Sequence, residues 1–169
     1  MRYGLIGEHL GHSFSKTIHE RIGEYPYDHC EIAPSDLDGF LRAKGFTAIN
    51  VTIPYKRSVI PHLDWMSPEV KAAGACNAVV NRDGRLYGYN TDYMGMRDLL
   101  ASADMDVEGR NVLILGTGAT SLTALALVRD LGAARVFRAS RRQSDAADIV
   151  TYDNLAKISA DVHIIVHTT

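Results

Sequence analysis

The chain has 169 residues, 46% hydrophobic and 22% charged, with a formal net charge of −2 at pH 7. That balance excludes disordered and fibrous classes and gives no electrostatic reason to expect nucleic acid or an anionic membrane as a partner. No stretch approaches the roughly 20 apolar residues of a membrane span, and the apolar run at the N-terminus is too short for a secretory signal. A cytoplasmic protein acting on a small molecule is therefore expected. Cys30 and Cys76 belong to no CxxC motif and lie near no histidine at zinc-like spacing, so buried free thiols and no metal site are expected.

Residues 3–7 read as a strand, and Ser15 is placed to N-cap a helix with Ile18 and Ile22 on one face. Residues 27–32 read as the next strand. Ser35-Asp36-Leu37-Asp38 has capping-box spacing, with Asp in place of Glu or Gln, and opens a helix carrying Leu37, Phe40 and Leu41. A strand over 47–53 ends at Pro54. A short helical stretch then leads to Ser67-Pro68-Glu69, where a serine cap and a proline at the first position start another helix. Residues 76–81 and 85–89 flank Asp83-Gly84, a strong hairpin signal. From Thr91 a helical pattern with Met94, Leu99 and Leu100 runs to a polar break at 104–110, which divides the chain into domains 1–103 and 104–169.

Beyond the break the pattern is that of a parallel sheet with helices. A continuous apolar run over 111–115 is interrupted by Gly116-Thr117-Gly118-Ala119 and followed by a helix with Leu122, Leu125, Ala126 and Val128. Residues 135–139 read as a second strand, 152–158 as a short helix and 162–166 as another apolar strand. The expected fold class is α/β, an N-terminal α/β domain followed by a partial Rossmann-type domain, since a full dinucleotide fold needs a second βαβ half.

A strand ending in Gly116-x-Gly118 and feeding a helix at Ala119 lets backbone N–H groups and the positive helix end approach a pyrophosphate. Ser121 stands where the fingerprint has Gly or Ala, and a plain glycine turn between packed elements is the competing reading. At the end of the second strand, an acidic residue accepts from the NAD ribose whereas arginine accommodates the NADP phosphate. Here Arg138-Ala139-Ser140-Arg141-Arg142 carries no acid before Asp145, which favours NADP with Ser140, Arg141 and Arg142 as candidate contacts. Spacing does not choose among the arginines, and a solvated basic loop is the alternative.

In the first half, Gly11-His12-Ser13-Phe14-Ser15 presents hydroxyls at a strand-to-helix turn. Asn50-Val51-Thr52-Ile53-Pro54-Tyr55-Lys56 puts Lys56 just beyond a strand end. Asn90-Thr91-Asp92 puts a carboxylate in the first turn of a helix, and Asn77 begins the hairpin. Taken singly, these are a cap, a surface charge, a dipole-complementing acid and a turn former.

Taken in order, His-Ser-x-Ser, Asn-Val-Thr-x-Pro-x-Lys, Gly-Ala-x-Asn, Asn-Thr-Asp-x-x-Gly and a Gly-x-Gly turn resemble shikimate dehydrogenase, over a chain lacking that family's C-terminal part. The resemblance implies NADPH-dependent, reversible reduction of 3-dehydroshikimate to shikimate in aromatic amino acid biosynthesis. It implies that Ser13 and Ser15 bind the substrate carboxylate, that Thr52, Asn77, Lys56 and Asp92 surround the ring hydroxyls, and that Lys56 and Asp92 are the catalytic pair. A monomer or homodimer is implied. The chain departs from the family pattern at Lys16, Glu20 and Ala78, in its Gly-Thr-Gly-Ala-Thr turn, and in Ser-Arg-Arg at the second strand end. Two further readings are an NAD-dependent quinate/shikimate dehydrogenase and a chain that binds shikimate or nucleotide without turnover.

Overall fold

The computed structural model describes residues 1–169, and its contacts separate two compact units, Met1–Thr91 and Asp92–Thr169. The division falls one helix ahead of the polar break at 104–110. The helix beginning at Thr91 carries Met96 and Leu100, and these pack with Val107, Val112 and Ile114 of the second unit.

In the first unit the chain forms β1 (Tyr3–Gly7), α1 (Ser15–Ile22), β2 (Asp28–Glu31), α2 (Leu37–Ala43), β3 (Ala48–Val51), β4 (Trp65–Met66), α3 (Pro68–Ala73), β5 (Ala78–Arg82) and β6 (Arg85–Tyr89). The strands make one sheet in the order β2-β1-β3-β5-β6-β4. β2 and β3 flank β1 in parallel, and β5 is antiparallel to both β3 and β6. Side chains alternate across a strand, so Ile49, Val51, Val79 and Leu86 share one face. With Ile6 they meet Leu37 and Leu41 of α2, Val70 of α3, and Tyr55 and Val59 of the loop between β3 and β4. On the opposite face Leu5 packs with Leu10 and Tyr27, and His19 of α1 stacks on Tyr27 with centroids 4.0 Å apart.

Several local expectations change here. Ser15 is the first helical residue rather than the cap, a place taken by Phe14. Its N–H donates to Ser13 Oγ at 3.2 Å, so the two serines build their own turn. Ile18 and Ile22 are 52% and 81% exposed, because the stacking contact with Tyr27 is made by His19. The capping box at Ser35 does not form. The Ser35 hydroxyl donates to Asp36 Oδ1 at 3.0 Å, and Asp36 occupies the cap position without its side chain capping a helical N–H. Two short strands were invisible in the pattern: β4, and Ile149–Thr151 in the second unit. By contrast, Ser67 Oγ accepts from Val70 N–H at 3.4 Å with Pro68 leading the helix. Asp83 and Gly84 take φ of 51° and 80°, which matches the left-handed turn that a two-residue hairpin needs. Both cysteines are free. Cys76 is buried and its thiol is pushed up to about 11 by that burial, whereas Cys30 is only half-buried.

The second unit contains α4 (Thr91–Ser102, entered from the first unit at Thr91), β7 (Asn111–Leu115), α5 (Ala119–Asp130), β8 (Arg135–Ser140), β9 (Ile149–Thr151) and β10 (Ile164–His167). Its sheet is wholly parallel in the order β10-β7-β8-β9. Read from the other edge this is third, second, first, fourth, the strand order with which a dinucleotide-binding fold begins. Val112 and Ile114 pack beneath Ala124, Leu125 and Val128 of α5, while Leu113, Phe137 and Ala139 face Leu155, Ile158 and Val162. Tyr93 Oη donates to Asp130 Oδ2 at 2.6 Å and ties α4 to the end of α5. No helix is long and apolar enough to cross a membrane.

Leu86 is fully buried at the centre of the first unit's hairpin, so Leu86→Ala should destabilise that unit by about 2–5 kcal/mol. Urea unfolding followed by the fluorescence of Trp65, the single tryptophan, is the measurement. A midpoint unchanged from the parent chain would contradict this packing.

Candidate functional site

β1, β3 and β6 run in one direction and β5 runs against them. Their topology brings four polar segments to one edge of the sheet. The chain leaves β1 for Ser13 and Ser15, leaves β3 for Thr52 to Lys56, enters β5 through Asn77, and leaves β6 through Asn90 and Thr91. Backbone bonds lace that edge together. Thr52 N–H donates to the Ile6 carbonyl at 3.0 Å, Val51 N–H to the Asn77 carbonyl at 2.8 Å, and Asn77 N–H to the Tyr89 carbonyl at 3.1 Å.

Buried polar side chains continue the lacing, as burial away from water requires. Asn77 Oδ1 accepts from Thr91 N–H at 2.8 Å and its Nδ2 donates to Thr91 Oγ1 at 2.9 Å. Because a backbone N–H can only donate, this pair fixes which way the amide points. It also satisfies one of the orphan N–H groups at the start of α4. Asn90 Nδ2 donates to the Ala75 carbonyl at 3.0 Å, and Cys76 N–H donates to the Lys56 carbonyl at 2.7 Å. Tyr55, buried between exposed Pro54 and half-buried Lys56, sends its hydroxyl to the Ile32 carbonyl. The Lys56 backbone is thus anchored on both sides. Ser13, Ser15, Thr52 and Lys56 are all half-buried at this edge, a set rich in donors that suits an anionic or hydroxylated ligand. Asp92 is half-buried in the first turn of α4, directly after Thr91.

Sequence reasoning passed over two residues that shape this edge, Tyr55 and Tyr27. Tyr27 Oη donates to Asn50 Oδ1 at 2.7 Å. Burial pushes its phenol up to about 12, so it remains a donor across the physiological range. The only signal for either was an aromatic residue set among polar or motif neighbours, and that looks the same as ordinary core.

In the second unit a cavity of about 1040 Å³ opens at the C-terminal ends of β7 and β8, lined by Gly116 to Gly118, Ser140 to Arg142, Tyr152 and Thr168-Thr169. Gly116 has φ of 118°, and a Cβ there would meet Thr168 Oγ1 at 2.8 Å and Thr169 Cγ2 at 2.9 Å, so only glycine fits. At Gly118 an added Cβ meets nothing within 4 Å. Gly118 is also the N-cap of α5 and supplies no capping side chain, which leaves open space before the helix's positive end. Both features fit a diphosphate approached by backbone. Ser121 is fully buried on α5 and its hydroxyl has no partner, so the position uses its small size for helix–sheet packing, as the third fingerprint residue does.

The structure also separates the arginines. Arg138 Nε pairs with Asp148 Oδ2 at 2.7 Å in a half-buried contact, and that guanidinium holds the Asp148 carboxyl below the usual range. Arg141 and Arg142 are exposed and line the cavity, while Ser140 Oγ accepts from Arg142 N–H at 3.1 Å.

Residues 5–79 match the shikimate dehydrogenase substrate binding domain family. A curated NADP(+)-dependent shikimate dehydrogenase from Clostridium perfringens strain SM101 is 38% identical over 156 residues, covering 82% of this chain and 54% of its own. The crystal structure of shikimate dehydrogenase 1 from Peptoclostridium difficile superposes with a TM-score of 0.88 at 37% identity, covering all of this chain and 67% of that one. A shikimate 5-dehydrogenase from Thermus thermophilus, solved in complex with NADP(H) and shikimate, gives a TM-score of 0.76 at 26% identity, covering 100% and 68%. The chain thus spans about half to two thirds of the length of the relatives it matches.

Two measurements follow from the geometry of the second unit. Ser121→Ala removes a buried hydroxyl without a partner and should raise stability by about 1 kcal/mol. A lowered melting temperature would show that the hydroxyl is satisfied after all. Asp148 has a folded-state pKa below its unfolded one, so its contribution is present above the unfolded value of about 3.9 and is lost as pH falls through the folded value. Asp148→Asn should therefore destabilise the chain at neutral pH, by an amount that shrinks as denaturation is repeated toward acid. A penalty independent of pH would argue against the ion pair as its cause.

Proposed function

The chain belongs to the shikimate dehydrogenase family, and on that premise we propose that it carries the substrate-binding portion and the first part of the NADP-binding portion of an enzyme reducing 3-dehydroshikimate reversibly to shikimate. The observation that supports this reading is the strand topology, which sends the segments carrying Ser13 and Ser15, Thr52 and Lys56, and Asn77 toward one end of the sheet, where Asn77 and Thr91 are cross-braced. Its residue types match the ligand: hydroxyl and amide donors for a carboxylate and ring hydroxyls, and one ammonium for proton transfer. The P. difficile and T. thermophilus likenesses and the C. perfringens relative support the same reading.

In this proposal Ser13 and Ser15 donate to the substrate carboxylate, and Thr52 and Asn77 hold ring hydroxyls. Lys56 keeps a proton on Nζ and delivers it to the carbonyl oxygen as that oxygen gains negative charge, and it takes the proton back in the reverse direction. Asp92 is the carboxylate of the proposed catalytic pair. NADPH, when bound, supplies the hydride. The backbone of Gly116, Gly118 and Ala119 would hold its diphosphate, and Ser140, Arg141 and Arg142 its 2′-phosphate, since no acidic residue lines that cavity. The reading carries with it a cytoplasmic biosynthetic enzyme, monomeric or homodimeric.

NADPH oxidation in the presence of 3-dehydroshikimate is the test. The unaltered chain should turn over, and Lys56→Ala should lower kcat roughly 10²- to 10⁴-fold while shikimate still binds by calorimetry. Shikimate binding without any oxidation by the unaltered chain would leave a binding function in place of the enzymatic one, and undiminished turnover by Lys56→Ala would remove Lys56 from the chemistry.

A further inference from the structure

We infer that Tyr152 is the adenine-stacking residue of the cavity in the second unit, so that the base of the bound nucleotide lies on an aromatic ring beside the two exposed arginines. This rests on the NADP reading above and adds to it a residue that neither the glycine turn nor the basic loop accounts for.

Register places the ring. β8 and β9 are parallel with Ser140 opposite Thr151, so the next residue on each, Arg141 and Tyr152, leaves the same sheet edge side by side. Around Tyr152 the chain turns its apolar side chains inward, and Leu155, Ile158 and Val162 pack against Leu113, Phe137 and Ala139. Tyr152 does not join that cluster. It is 39% exposed and lines the cavity instead, which leaves an aromatic surface available to a ligand.

The order of groups across the strand ends matches the order of groups in the nucleotide. Gly116 to Gly118 follow β7, Ser140 to Arg142 follow β8, and Tyr152 follows β9. Neighbouring strands lie about 4.8 Å apart, so diphosphate, ribose phosphate and base fall on successive strands, and the ribose spans the step between the outer two. Stacking is sequence-tolerant because every base has a π-face. It therefore adds affinity for the adenosine end without affecting the choice between NADP and NAD, which falls to Arg141 and Arg142. Arginine can also stack on a base through its planar guanidinium, so Arg141 is the competing platform.

Calorimetric titration of the full chain with 2′,5′-ADP and with 5′-AMP separates these roles. Tyr152→Ala should weaken both ligands about tenfold or more, Tyr152→Phe should bind both as the parent does, and Arg141→Ala combined with Arg142→Ala should weaken 2′,5′-ADP alone. Parent-like affinity of Tyr152→Ala for both ligands, with circular dichroism showing it folded, would overturn the inference and leave the NADP reading standing. So would loss of 5′-AMP binding in the arginine variant only. Equal affinity of the parent chain for the two ligands, with Tyr152→Ala weakening both, would support stacking while removing the NADP preference. A parent chain that binds neither ligand would overturn both.

Discussion

Asn77 braces the candidate edge of the first unit with its backbone and its side chain together. Its carbonyl takes the last rung of β3, its N–H gives the last rung of β6, and its amide clasps both the N–H and the hydroxyl of Thr91. Each such bond contributes only about 1 kcal/mol net, but leaving a buried partner unmade costs about 1–3 kcal/mol. The edge is therefore stable in one arrangement and unstable in partial versions of it. Lys56 inherits that rigidity through Cys76, the residue before Asn77, whose N–H holds the Lys56 carbonyl.

Each unit presents its candidate site at the carboxyl ends of parallel strands, the place where α/β sheets generally take their ligands. In the first unit the antiparallel β5 brings its N-terminal end to the edge where β1, β3 and β6 finish, which is how Asn77 joins segments far from it in sequence. In the second unit the rule is applied with backbone rather than side chains. Gly116 is forced by the approach of Thr168 and Thr169, and Gly118 opens the space before α5. The basic residues divide according to what already holds them. Arg138 is committed to Asp148, while Arg141 and Arg142 face the cavity.

Much of this was legible in the sequence because the signals were local. The hairpin at Asp83-Gly84, the Ser67 cap with Pro68 behind it, the strand before Gly116 and the helix from Thr91 each rest on a few neighbouring residues with a steric or hydrogen-bonding reason. What failed had two causes. Ser15 read as a cap because two neighbouring serines compete for the helix start and the pattern alone does not choose between them, the Ser13 hydroxyl taking the Ser15 N–H. Ile18 and Ile22 read as an inward face because the tertiary contact belongs to His19 on Tyr27. β9 was missed because three residues are too short a run to show a period, and its place is set by pairing with β8 and by the Arg138–Asp148 bond. The candidate site was legible only as a set: Lys56 alone is a surface lysine, and the roles of Tyr27, Tyr55 and Tyr152 come from where their rings lie.

Heteronuclear NMR of the labelled 169-residue chain titrated with shikimate is the most direct test that this strand edge is a substrate site. The backbone amides of Ser13, Ser15, Thr52, Lys56, Asn77 and Thr91 should shift together and saturably, because all of them belong to the proposed substrate site. Shifts confined to the opposite end of the sheet, at the Asp83-Gly84 turn, or no saturable shifts at all, would contradict it.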